Sequence, residues 1–277
     1  MKSKNRRKRV DRAVSAFAER RSGIFIQAGK TRRLKSRKIM SKEKIIVALD
    51  VESAQEARAI IEEIGTEVGA YKIGLQLFTA AGASFVREIA AKGIKLFLDV
   101  KFHDIPNTVA KASIEVARLG VWMFNVHALG GGEMMRRTIE TVRETCAKES
   151  LPAPKIIGVT VLTSADRETL REVGIDEEIE SQVVNLARLT AKCGLDGVVA
   201  SPLEVETIRR NIAKQDFLIV TPGIRPNFAT NDDQKRVMTP GRALARGADY
   251  LVIGRPITAQ NDKLAAVRKI VEETDTE

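Results

Sequence analysis

From Lys44 onward, short apolar runs alternate with stretches whose apolar residues recur every three or four positions. The runs are Ile45–Asp50, Tyr71–Gly74, Leu96–Lys101, Val121–His127, Ile156–Leu162, Gly197–Ser201, Phe217–Gly223 and Tyr250–Gly254. They are short, rich in β-branched side chains and nearly continuous in hydrophobicity, the pattern of parallel strands covered on both faces. Between them, Ser53–Ile64 places Ala54, Ala57, Ile60, Ile61 and Ile64 on one helical face. Val183–Cys193, Pro202–Ala213 and Pro240–Arg246 repeat that spacing. Gly65, Gly93, Gly120, Gly194 and Gly247 stand where a helix should stop, the usual place of a C-cap glycine.

Eight strands with helical crossovers and no series of hairpins predict an α/β fold, either a (β/α)8 barrel or a doubly wound sheet. The count favours the barrel. So do the polar residues, which gather just after the strands: Asp50, Lys72, Asp99, Lys101, His127, Thr163, Pro222–Arg225 and Gly254–Arg255. A barrel builds its site from many strand ends on one rim, whereas a doubly wound sheet concentrates it at one switch point. A (β/α)8 TIM barrel is therefore expected.

The densest chemistry lies in residues 96–109. An apolar run ends in Asp99, Lys101 and Asp104, and Pro106 and Asn107 then break the backbone before a helical pattern starts. Strand alternation predicts Asp99 and Lys101 on one face. Lys72 would neighbour Asp50 and Asp99 in a barrel, completing an alternating row of four charges. Unpaired, such a row would cost several kcal/mol per buried ion (order of magnitude). Two further loops carry arginines: Thr221-Pro-Gly-Ile-Arg-Pro226 with Arg225, and Gly254-Arg255-Pro256-Ile257, which opens the last helical stretch. Loops after the seventh and eighth strands are the usual phosphate site of this fold, and arginine suits phosphate geometry. A phosphorylated small molecule is the expected ligand. Neither G-x-G-x-x-G nor a Walker pattern occurs, which disfavours dinucleotides and nucleoside triphosphates. His103 and His127, the only histidines, read as packing or supporting residues, not metal ligands, and Trp122 as core. Cys146 and Cys193 lack metal-type spacing and read as buried thiols in a reducing, cytoplasmic compartment.

The net charge of +10 on 277 residues suggests nucleic acid until its distribution is examined. Residues 1–39 hold 15 Lys or Arg against Asp11 and Glu19, a charge of +13, which leaves −3 for residues 40–277. The basicity belongs to an N-terminal extension, expected to be disordered or partly helical, followed by a catalytic domain over 40–277. Two readings of the extension stay open: an Arg-rich arm or transit segment, or upstream sequence preceding a start at Met40. Nucleic acid is not expected as the main partner. No apolar run is long enough to span a membrane.

Asp-Val-Lys-Phe-His-Asp-Ile-Pro-Asn-Thr (99–108) resembles the D-x-K-x-x-D-I-P-N-T signature of the orotidine 5′-phosphate decarboxylase family. Val-Ala-Leu-Asp (47–50), Tyr-Lys-Ile-Gly (71–74), Asn-Val-His-Ala (125–128), Val-Leu-Thr-Ser (161–164), Asp-Gly-Val-Val-Ala-Ser (196–201), Thr-Pro-Gly-Ile-Arg-Pro (221–226), Asp-Gln-Lys-Arg-Val-Met-Thr-Pro (233–240) and Val-Ile-Gly-Arg-Pro-Ile (252–257) match in order across about residues 44–270. The resemblance implies a homodimeric barrel that decarboxylates orotidine monophosphate to UMP without metal or cofactor. It implies that Lys101 protonates C6, that Asp99 lies by the departing carboxylate, and that Asp50 and Lys72 contact the ribose. Asp104 and Thr108 are implied to serve the partner's site. Thr163 and Pro222 would border the base, and Gln234, Arg225, Gly254 and Arg255 would hold the phosphate. The 227–233 loop lacks the glycines often found there, a departure in the expected lid. The related 3-keto-gulonate phosphate decarboxylases and hexulose-phosphate synthases carry a similar D-x-K-x-x-D but are Mg²⁺-dependent. They are expected to have an acidic metal ligand where this chain has Lys72.

Overall fold

Each apolar run is long enough to cross a barrel wall, and a turn or helix-starting residue stops it. In the computed structural model, which describes residues 41–229 and 236–276, the strands are β1 (Ile45–Ala48), β2 (Ala70–Gly74), β3 (Leu96–Phe102), β4 (Met123–His127), β5 (Lys155–Val159), β6 (Gly197–Val199), β7 (Leu218–Thr221) and β8 (Tyr250–Ile253). They pair in parallel in chain order, and β8 returns to β1 to close the barrel. The helices are α1 (Ala54–Ile64), α2 (Leu75–Ala91), α3 (Pro106–Arg118), α4 (Gly131–Glu149), α5 (Arg167–Glu172), α6 (Ile179–Lys192), α7 (Val205–Asn211), α8 (Pro240–Ala245), α9 (Arg255–Thr258) and α10 (Lys263–Thr276). The expected extension, 1–39, lies outside the described residues, and Lys42–Glu277 forms one compact unit.

Local chemistry sets the boundaries. Ser53 caps α1 by accepting the Glu56 N–H, and Pro106 occupies the first turn of α3, where its missing N–H is harmless. All five glycines expected to stop helices have positive φ, from 59° at Gly65 to 106° at Gly247. Gly82 interrupts α2 with φ 71°, a break that the apolar spacing did not announce. Several sequence-predicted strands overshoot at their C-terminal ends: Asp50, Leu162 and Gly223 lie past the ladder. At the rim the chain leaves the sheet so that side chains can face a cavity.

Two cores result. The larger lies between the barrel and its helices. The smaller fills the barrel and is built from strand residues alone: Ile46, Ala48, Ala70, Phe97, Met123, Ile157, Val220 and Val252. Following that parity two residues onward leads to Asp50, Lys72, Asp99, Asn125, Val159, Pro222 and Gly254. The inner face is thus apolar below and, on β1 to β4, polar above, and one alternation supplies both. Gly158 on β5 lets α6 approach closely, since a Cβ there would stand 2.7 Å from Thr190 Oγ1. Trp122, expected in the core, is only partly buried. It packs against the inner cluster beside the N-terminal end of β4, edge-on to Tyr250 at 5.1 Å.

Candidate active site

The C-terminal ends of the strands surround a cavity of about 380 Å³. Nine of the twelve residues expected at the site line it: Asp50, Lys72, Asp99, Lys101, Thr163, Pro222, Arg225, Gly254 and Arg255. Asp104 and Thr108 are exposed and lie outside this cavity, and Asp104 Oδ1 accepts the Ile105 N–H at 2.6 Å. Gln234 falls outside the described residues, as does most of the 227–233 loop.

The four charges form the expected row. Lys72 Nζ lies 3.1 Å from Asp50 Oδ1 and 3.3 Å from Asp99 Oδ2, and Lys101 Nζ lies 2.8 Å from Asp99 Oδ1. Burial opposes the Lys72 ammonium, but Asp99 and Asp50 outweigh it and raise its pKa above the ordinary lysine value. Burial likewise opposes ionisation of Asp99. Lys72 and Lys101, with hydrogen bonds from Lys101 and Asn125, overcome it and hold the carboxyl below its ordinary value. Gly74 keeps the space beside Lys72 open, for a Cβ there would come within 3.2 Å of Nζ. The floor between these charges and the opposite wall is apolar, with Phe97, Val159, Val161, Val199 and Val252.

Arg225 and Arg255 follow the ends of β7 and β8 on the same lining. Arg225 is 9% exposed, with Nη1 donating to Ile224 O at 3.0 Å. Its segment is tied to the chain after residue 236: Arg225 N–H donates to Met238 O at 2.9 Å and Met238 N–H to Gly223 O at 3.3 Å. Two arginines at one stretch of the lining and two lysines at another, over an apolar floor, suit a ligand that is anionic at one end and planar at the other.

His127, read as a packing or supporting residue, ends β4 and is partly buried. It stacks on His103 at 5.3 Å, and its Nδ1 accepts the Leu129 N–H at 3.4 Å. Burial, helped by His103 and Lys101, lowers its pKa to about 4. Cys146 and Cys193 are free and buried, and burial pushes both thiols up.

Two features escaped the sequence reading. Asn125, fully buried on β4, bridges Asp99 and the backbone of Lys101. It belongs to the quoted Asn-Val-His-Ala segment, but nothing in the spacing assigned it a task. Arg236 and Glu204 form a nearly buried ion pair at 2.6 Å, and Arg236 Nη2 also donates to Leu162 O at 2.9 Å. Burial pushes the Glu204 carboxyl up, against the pull of Arg236. The pair joins the loops after β5, β6 and β7 behind the cavity wall.

A curated protein of Syntrophotalea carbinolica named orotidine 5'-phosphate decarboxylase is 54% identical over 235 residues, covering 85% of this chain and 96% of that one. One of the same name from Moorella thermoacetica is 52% identical over 236 residues, covering 85% and 93%. A crystal structure of orotidine 5'-phosphate decarboxylase from Lactobacillus acidophilus aligns with a TM-score of 0.74 at 36% identity, covering 84% of this chain and 99% of that one. The profile of the Orotidine 5'-phosphate decarboxylase / HUMPS family matches residues 43–270, and with that match over most of its length the chain belongs to this family.

Proposed function

We propose that this chain removes CO2 from orotidine 5′-monophosphate to give UMP, with Lys101 delivering the proton. The observation that carries this reading is the position of Lys101 Nζ, 2.8 Å from Asp99 at the end of an alternating charge row in a cavity walled by apolar residues.

Loss of CO2 leaves an electron pair on C6 of the pyrimidine, with no neighbouring carbonyl able to accept it. An ammonium held beside that carbon stabilises the developing charge in a low-dielectric cavity, then transfers its proton to form the C6–H bond of UMP. Asp99 holds Lys101 in place, and Lys72 keeps Asp99 ionised. On this reading Asp50 and Lys72 contact the ribose, Thr163 and Pro222 border the base, and Arg225, Arg255, Gly254 and Gln234 hold the phosphate. Binding energy from the remote phosphate can serve the reacting end, so a substrate lacking it should lose rate as well as affinity.

Asp104 and Thr108, outside the cavity of their own chain, would act in the site of a second copy. The 66% exposed Ile105 between them supports a homodimer. The domain division proposed is an extension over 1–39 and a catalytic barrel over 40–277. The free thiols fit a cytoplasmic setting, and among the described residues no helix is long and apolar enough to cross a membrane.

The Mg²⁺-dependent branch of the family is the rival. Against it stands Lys72, whose ammonium fills the space between Asp50 and Asp99 where a divalent cation would need those carboxylates. The test follows the absorbance of orotidine monophosphate with the full-length protein, with and without EDTA. Equal rates are expected. No reaction, or one abolished by EDTA, overturns the reading.

A further inference from the structure

The β3–β4 ladder slips beside the charge row. Leu98 pairs with Phe124 and Phe102 with Val126, so Asn125 alone lies opposite Asp99, Val100 and Lys101. Such a bulge leaves backbone groups without their ladder partners and re-aims a side chain. Lys101 takes φ 50° there, a left-handed conformation unfavourable for a residue with a side chain. Its N–H donates instead to Asn125 Oδ1 at 2.7 Å, while Asn125 Nδ2 donates to Asp99 Oδ1 at 2.6 Å. The orientation of the amide follows from its partners: the Lys101 N–H needs an acceptor and the carboxylate needs a donor. Asn125 is 0% exposed, so bulk solvent does not reach its side chain.

We propose that Asn125 is the positioning residue of the charge row: its amide replaces the missing rung of the ladder, holds Lys101 in its left-handed backbone and fixes the Asp99 carboxylate so that one oxygen meets each lysine. This rests on the decarboxylase reading. Alanine at 125 would orphan a buried N–H and free Asp99 to rotate. Aspartate would still accept from Lys101 but would set a second carboxylate against Asp99. The charged and titratable groups around Asp99 are Lys72 from β2 and Lys101 from its own strand. Asp50 stands beyond Lys72, and His127 and His103 lie towards Lys101.

The test compares Asn125→Ala and Asn125→Asp with the unsubstituted full-length protein, by kcat and KM for orotidine monophosphate across pH and by crystal structures. Asn125→Ala should lower kcat on the order of 10²-fold, the effect of a reacting group displaced by about 1 Å, with KM changed far less. Its structure should show Lys101 released from the left-handed region. Asn125→Asp, nearly isosteric and expected to fold, should move the acid limb of the kcat profile to higher pH, because neighbouring carboxylates raise one another's pKa. An asparagine that only stabilised the barrel would lower the melting temperature and leave the pH profile in place. The proposal is overturned by a kcat for Asn125→Ala within about threefold of the parent, or by an unmoved acid limb in Asn125→Asp. If the unsubstituted protein does not act on orotidine monophosphate, the decarboxylase reading fails on its own. The Lys101 backbone in the alanine structure then decides the positioning claim, with an unchanged φ overturning it and release sustaining it. If Asn125→Ala does not fold, the pH profile of Asn125→Asp decides or, without activity, the Asp99 carboxylate in its structure, with rotation away from the two lysines sustaining the proposal and an unchanged orientation overturning it.

Discussion

At the C-terminal end of the barrel, Asp99 meets two ammonium groups, from Lys72 and Lys101. At the N-terminal end, Asp249 accepts the Ile219 N–H at 2.7 Å and pairs with Arg209, whose Nε donates to Gly247 O at 2.9 Å. Asp196 does the same one strand pair away, accepting the Ile156 N–H at 2.8 Å. The lower carboxylates are spent on backbone: each fixes the start of a neighbouring strand. The upper one is spent on side chains whose far ends stand in a cavity. Similar residue types make a fastening at one end and a reactive surface at the other, and the partner decides which.

The comparison is tested most strongly at the top. Lys101→Ala should cut decarboxylation by on the order of 10⁴-fold or more while the protein remains folded, because it removes both the proton donor and the charge facing the carbanion. Turnover and circular dichroism measured together check this, and activity within tenfold of the parent (about 1.4 kcal/mol) would be incompatible with the assigned role. At the bottom the outcome should invert. Asp249→Ala is expected to lose about 1.5–3 kcal/mol in urea unfolding, the range for a charged hydrogen bond, with kcat within about twofold of the parent. A large fall in kcat without loss of stability would erase the distinction between the two ends.

The smallest effect concerns His127, which sits near Lys101 but outside the row. Its folded pKa of about 4 lies below the ordinary 6.5. A depressed value means that the neutral ring is favoured by folding, so its contribution to stability is complete above 6.5 and is lost as pH falls from 6.5 through about 4. NMR titration should place its midpoint near 4, leaving no His127 limb in the rate profile between about pH 5 and 8. A midpoint near 6.5 would place the ring in the titrating machinery.

How far each feature could be read in advance follows from its range along the chain. The eight strands, the helix-stopping glycines and Asp50, Lys72, Asp99 and Lys101 were legible because each follows from a short periodic pattern. A barrel also makes neighbours of successive strand ends. The bulge at Lys101 was not legible. Alternation alone predicted that Asp99 and Lys101 would share a face, and they do meet, but through a slipped ladder and a left-handed residue that no alternation contains. Asn125 was hidden for the same reason, since its partners lie on another strand at a register set by the slip. The Glu204–Arg236 pair joins positions 32 residues apart, and only the pairing of β6 with β7 brings their loops together.

The row of Asp50, Lys72, Asp99 and Lys101 sums to zero charge, which constrains descent as well as chemistry. A single exchange that alters a charge unbalances the row, at greatest cost at Lys72 and Asp99, the least exposed of the four, so an intermediate along a line of change is penalised before a second exchange can restore balance. Variation can enter more freely through the apolar wall of Val159, Val161 and Val199 or through the rim loops, where one substitution alters shape without unbalancing charge. A single exchange within the quartet should therefore be poorly tolerated, and specificity in this barrel should diverge around it.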